Sequence, residues 1–237
     1  MSQQRVFSNR AACEAALLCL ALVLGSRPAI SQSNGGNYIL ILASGFLCDP
    51  GDTTTCPATA KANQGDSYEL SGAGTFDVQS KSVRATGTFT HKSHSGNVLA
   101  TGVWLASELV SFDSYGAAPN ALPRPSTGFG PRAMGAGRML AIIGSMPTGG
   151  LAVFRIRLLP IQGPPTNAVL QVNCTLGDVP RERSVEGIRL TSEKNNTEYS
   201  EEVGGRVMFL AMRPGVSAPV KEPQEEKARE TLEQPQN

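Results

Sequence analysis

The apolar residues of this chain recur with a period of two, and that constrains its fold more than any other feature. In Val169–Leu176 the residues Leu170, Val172, Cys174 and Leu176 alternate with Gln171, Asn173 and Thr175. In Ala152–Leu158, Ala152, Phe154, Ile156 and Leu158 take one side while Arg155 and Arg157 take the other. Successive side chains of an extended strand point to opposite faces, so this alternation marks strands with one buried face. Further candidate strands are Tyr38–Leu47, Ser67–Val78, Ser82–His91, Val98–Phe112, Arg138–Ser145, Val185–Thr191 and Arg206–Met212.

Turn signals punctuate them: Asp49-Pro50-Gly51-Asp52, Gln79-Ser80-Lys81, Ser95-Gly96-Asn97, Pro147-Thr148-Gly149-Gly150 and Gln162-Gly163-Pro164-Pro165. No segment has the period of an amphipathic helix. The expected fold is all-β, a single antiparallel sandwich or barrel of about eight to nine strands. One internal echo supports a hairpin: Gly74-Thr75-Phe76-Asp77 and Gly87-Thr88-Phe89-Thr90 lie either side of a polar turn. If its register centres between Gln79 and Ser80, Phe76 and Phe89 point to the same side.

The two ends of the chain read differently. Arg5 and Arg10 precede an apolar run, Ala15–Gly25, and Ala29-Ile30-Ser31 carries small residues where a signal peptidase would cut. This is the layout of a secretory signal peptide over residues 1–31. The run is about half the roughly 20 residues that a membrane-crossing helix needs, so no membrane span is expected after cleavage. The C-terminal stretch from Pro214 to Asn237 has four prolines, no aromatic residue and a run rich in Glu, Lys and Gln. It offers too little apolar surface to offset the entropy of ordering it, and is expected to be a disordered tail. Between these ends, Ser33 to Arg213 is expected to form one β domain.

Export places the protein outside the cytoplasm, secreted or periplasmic, and makes its thiols oxidisable. The mature chain holds Cys48, Cys56 and Cys174. A Cys48–Cys56 bridge around Asp-Pro-Gly-Asp is the preferred pairing; a Cys48–Cys174 bridge is the alternative and leaves Cys56 free. Cys174 shares the apolar side of its strand and reads as a small buried hydrophobe.

Charge narrows the range of partners. The full chain has 21 Lys and Arg against 20 Asp and Glu, and the mature chain has net charge −1 once Arg5, Arg10, Arg27 and Glu14 are removed. Such balance gives no reason to expect nucleic acid as a partner. Within it, Ser114 to Gly177 contains no Asp, Glu, Lys or His but five arginines: Arg124, Arg132, Arg138, Arg155 and Arg157. The first three lie on or beside a Pro/Gly-dense segment, Ala117–Gly137, whose length is that of a functional or disordered loop. Arginine suits paired contacts to carboxylate, sulfate or phosphate. An anionic polysaccharide or cell-envelope component bound through Arg124, Arg132 and Arg138 is therefore the first functional expectation. Arg155 and Arg157 are expected to pair across strands with acids such as Glu186 and Glu193.

Catalytic signals are sparse. No G-x-S-x-G, phosphate-binding glycine loop, H-E-x-x-H or C-x-x-C motif occurs, and neither a cofactor nor a metal is expected. The two histidines, His91 and His94, are expected to be exposed residues of a hairpin loop. The alternative function is a small hydrolase or isomerase in a barrel mouth near His91, His94 or Asp113. Trp104 is expected in the core.

Overall fold

The computed structural model describes residues 36–119, 121 and 145–212. The signal segment 1–31, the tail 214–237, most of the 117–137 loop, the candidate strand at 138–144, and Arg124, Arg132 and Arg138 lie outside the described residues.

The described chain is nearly all sheet. Its strands are β1 (Asn37–Leu42), β2 (Ala58–Ala62), β3 (Ser67–Asp77), β4 (Val83–Lys92), β5 (Val98–Ala117), β6 (Met146–Pro160), β7 (Thr166–Cys174), β8 (Gly187–Ser192), β9 (Thr197–Gly204) and β10 (Val207–Ala211). Two single 3-10 turns, Gly45–Leu47 and Arg181–Arg183, complete it. All pairings between these strands are antiparallel, and they form one sheet that closes on itself. The fold is a barrel rather than a sandwich.

Two long strands make that closure possible. Along one edge, β3 pairs with β2 through Ser67–Leu70 and then with β1 through Gly72–Asp77. Likewise β6 pairs with β10 through Met146–Thr148 and with β7 from Gly150 onwards. The barrel is consequently ringed by eight strands (β3-β2-β9-β8-β7-β6-β5-β4) at one end and by six (β3-β1-β10-β6-β5-β4) at the other.

Side-chain size follows that taper. Five rings, those of Tyr38, Phe76, Phe112, Phe154 and Phe209, fill the narrow end, with centroids 4.6 Å apart for Tyr38–Phe112 and 5.3 Å for Phe112–Phe209. Midway, the fully buried Trp104 on β5 lies against glycines on β3 and β4. A Cβ on Gly72 would come within 2.6 Å of the indole, and one on Gly87 within 2.7 Å of Nε1 and 1.8 Å of the Ser71 carbonyl oxygen. Trp104 Nε1 donates to that same oxygen at 3.1 Å. A buried indole N–H needs such a partner.

The hairpin echo is realised: Phe76 faces Val83 and Leu70 faces Phe89, a register centred between Gln79 and Ser80. Both phenylalanines are buried.

Elsewhere the structure corrects the expected boundaries. Pro147–Gly150 was expected to turn but belongs to β6. Its glycines mark close approach, since a Cβ on Gly149 would lie 1.7 Å from the Leu176 carbonyl oxygen. The expected strand Tyr38–Leu47 ends at Leu42, where Ala43 (φ 39°) and Gly45 (φ 60°) redirect the chain. The 3-10 turn then lays Phe46 and Leu47 over Ile39, Ile41, Met208 and Leu210, so β1 and β10 are covered on both faces. Neither β2 nor β9 was expected. In β2 the inward positions are only Ala58, Ala60 and Ala62, and in β9 acidic residues obscure the single aromatic, Tyr199.

Cys48 and Cys56 are disulfide-bonded, and Cys174 is free and buried. Burial, with a smaller contribution from the charge of Glu186, pushes the Cys174 thiol up to about 12.

Two outcomes test this packing. Gly87→Ala places a methyl group against backbone that has no room to yield, and should cost at least about 2 kcal/mol. It would be read as a lower urea midpoint at unchanged slope; an unaltered midpoint would show that the Trp104 seat adapts. Alkylation with peptide mapping should label none of Cys48, Cys56 and Cys174 in the folded protein. After denaturation without reduction it should label Cys174 alone. Labelling of Cys48 or Cys56 at that stage would show the bridge absent.

Candidate binding site at the barrel mouth

The wide end of the barrel is open. Tyr68 enters it from the start of β3, Phe89 and His91 from the end of β4, and Tyr199 from β9. His91 is in phase with Ala85, Gly87 and Phe89, so the alternation that buries Phe89 also turns the imidazole inward. His91 is therefore a half-buried strand residue and not an exposed loop residue. The sequence held that signal in the period of β4, but the turn-forming residues after it suggested a loop.

The floor is a packed ring cluster. Tyr68 stacks on His91 at 4.3 Å with planes 2° apart, and meets Tyr199 edge-on at 4.8 Å. The Tyr199 hydroxyl and His91 Nε2, 3.3 Å apart, share a hydrogen bond whose direction depends on the imidazole tautomer. Burial pulls the His91 pKa below its ordinary value, partly opposed by the charge of Asp66. Burial also raises Tyr68 and takes Tyr199 to about 12, with Asp66 adding to both. The floor is thus uncharged near neutral pH.

Above it is a cavity of about 220 Å³. Ala100, Leu158, Pro160 and Pro164 supply apolar wall; Gln162, Asn195, Thr166, Ser192 and Thr197 supply hydrogen-bonding groups. Lys194 is the one lining side chain with a permanent charge, and no carboxylate lines the cavity among the described residues. Asp66 itself accepts the His94 backbone N–H at 2.8 Å.

The other expected residues do not join this site. His94 is exposed in the β4–β5 turn, so the two histidines do not converge. Asp113 is exposed towards the far end of β5, ion-paired with Arg183. Arg155 pairs with Glu108 at 3.2 Å and with Glu193 at 3.4 Å, the second as expected. Glu186 instead accepts from the Thr175 hydroxyl and the Val207 N–H. Arg157 is exposed.

Two further depressions, of about 270 and 370 Å³, lie among the charged residues Arg183, Arg189 and Glu202 and beside Glu186 and Arg206. Their arginines are already held: Arg189 by Glu202 at 2.6 Å, Arg206 by Asp52 at 3.8 Å and Arg183 by Asp113. The mouth alone of the three combines a rigid aromatic floor with an unpaired cation among the described residues. Sequence reasoning missed Tyr68, Tyr199 and Lys194 because Tyr68 comes from β3 and the other two from the distant β8–β9 hairpin, and only closure brings these segments together.

The chain matches no family model, no curated protein and no solved structure.

The buried imidazole gives a pH prediction. His91 is harder to protonate in the fold, where it faces Asp66, Tyr68 and Tyr199, than in the unfolded chain. Its contribution to stability is therefore complete above the ordinary histidine value of about 6.5 and is lost as pH falls through the lower folded value. Urea unfolding between pH 7.5 and 5 should show this loss, and His91→Gln should flatten it. Parallel pH profiles for the two proteins would mean that His91 titrates as if in solvent.

Proposed function

We propose that this protein is an exported, non-enzymatic binding domain for an anionic glycan or another anionic component of the cell envelope, with the barrel mouth as its principal contact. The observation that carries this reading is the mouth itself: a concave, uncharged aromatic floor built on strand ends, beneath a rim whose one permanent charge is Lys194. Arg124, Arg132 and Arg138 would add a separate second contact, since the segment on or beside which they lie joins β5 to β6 at the narrow end, opposite the mouth. Export to a secreted or periplasmic location rests on the Arg5–Ser31 leader pattern, and the Cys48–Cys56 bridge suits an oxidising compartment.

The same mouth supports a second reading, a small hydrolase or isomerase, because His91 is held neutral in the cavity as a general base must be. Binding is preferred because, among the described residues that line the cavity, none is a carboxylic acid that could act with it. Tyr199 at about 12 is a poor proton donor near neutral pH, and Asp66 does not line the cavity.

Retention on an acidic polysaccharide column at low salt is the direct test. The wild-type chain should be retained and should elute as salt rises, since the attraction is between exposed charges. Lys194→Ala combined with Arg124, Arg132 and Arg138→Ala should abolish retention. Failure of the wild type to bind, or binding unaffected by the fourfold substitution, would reject the proposal. Turnover of an ester or sugar substrate that disappears in His91→Gln would favour the enzymatic reading.

A further inference from the structure

The size of the mouth limits what can enter. Pockets for drug-sized ligands start at roughly 300 Å³, and this one holds about 220 Å³. That admits one ring-sized group and excludes a longer segment of chain. Its rim is fixed by tight turns: Gly163 (φ 100°) in the β6–β7 loop and Asn196 (φ 47°) in the β8–β9 loop both adopt left-handed backbone.

The lining is divided by chemistry. Pro160, Pro164 and Leu158 offer a C–H surface, whereas Gln162, Asn195 and Thr166 offer donors and acceptors suited to several hydroxyl groups. Its charge is asymmetric too. The neighbouring acid Glu193 is turned to Arg155 at 3.4 Å, which leaves Lys194 without an ion pair among the described residues. Lys92, on the nearby end of β4, is by contrast held by Glu69 at 2.6 Å.

From these features we infer that the mouth takes a single hydroxylated ring bearing a carboxylate, a uronic-acid type of sugar, with Lys194 as its counter-charge. The inference rests on the mouth being the binding site and names the chemical class that it selects. The apolar wall receives the ring's C–H face, the amides and hydroxyls of the rim receive its hydroxyl groups, and the carboxylate lies towards Lys194. The floor stays neutral. The field of Asp66, which reaches Tyr68, His91 and Tyr199, would instead favour a cationic sugar, so the test must separate the two.

Three monosaccharides of one size and different charge do so: D-glucuronate, D-glucose and D-glucosamine, titrated into the full chain at low salt. Binding is followed through the ring signals of His91 and Tyr199 and through calorimetry. Glucuronate should move both rings and bind at least about threefold tighter than glucose, in line with one exposed charge pair, and glucosamine should bind weakest. Lys194→Glu, at an exposed position, should invert the order of glucuronate and glucosamine, and a urea midpoint close to that of the wild type reports that the variant is folded. Equal affinity for all three with the same ring shifts would leave the mouth as the binding site and overturn the carboxylate preference. Tighter binding of glucosamine by the wild type would overturn it as well. No ring shift with any of the three would overturn the mouth as the binding site, and this inference with it.

Discussion

The contact on which the rest of the barrel depends is the seat of Trp104 on Gly72 and Gly87. A closed sheet must fill its interior with side chains from opposite walls. Here Trp104 on β5 sits beside its cross-strand neighbours Gly87 on β4 and Gly72 on β3, the largest side chain next to two residues that have none. The indole can then lie close to the β3 and β4 backbone, near enough for its N–H to reach the Ser71 carbonyl oxygen. A larger residue at Gly87 would meet the Ser71 carbonyl oxygen and the indole, so β3, β4 and Trp104 could not all keep this close approach.

That seat also divides the molecule functionally. On its narrow side, five aromatic rings fill the interior of the six-strand end. On its wide side, two additional strands spread the wall beyond what Tyr68, Phe89, His91 and Tyr199 can fill, and the residual space is the mouth. The aromatic cluster that stabilises this end by burial is the same cluster that keeps His91 and Tyr199 uncharged. Fold and binding chemistry therefore share one physical cause, desolvation at the base of an open barrel end.

The fold class was legible because it rests on a local property. Alternation in Ala152–Leu158 and Val169–Leu176 is imposed by the pleat and survives in any β architecture. The β3–β4 hairpin was legible for the same reason, with two Gly-x-Phe segments around a polar turn. Illegible elements were those whose burial owes little to their own residues. The three alanines of β2 become core only because larger neighbours cover them. The glycines of Pro147–Gly150 resemble a turn until the Leu176 backbone is seen to pass against them.

The site divides along the same line. By itself the sequence determined the all-β fold, the hairpin register and the apolar side on which Cys174 lies, because each follows from spacing along a few neighbouring residues. Proximity of Cys48 and Cys56 favoured their bridge without excluding the rival with Cys174. Only the tertiary structure decided that the sheet closes as a barrel, that its ring count changes from eight to six, and that Tyr68, His91, Lys194 and Tyr199 share one mouth. Those outcomes depend on pairings such as Ala62 with Tyr199 and Gly72 with Leu42, between residues far apart in the chain. Nothing in a local pattern of side chains carries that information, since the hydrogen bonds that make the pairings belong to the backbone and are alike for every residue.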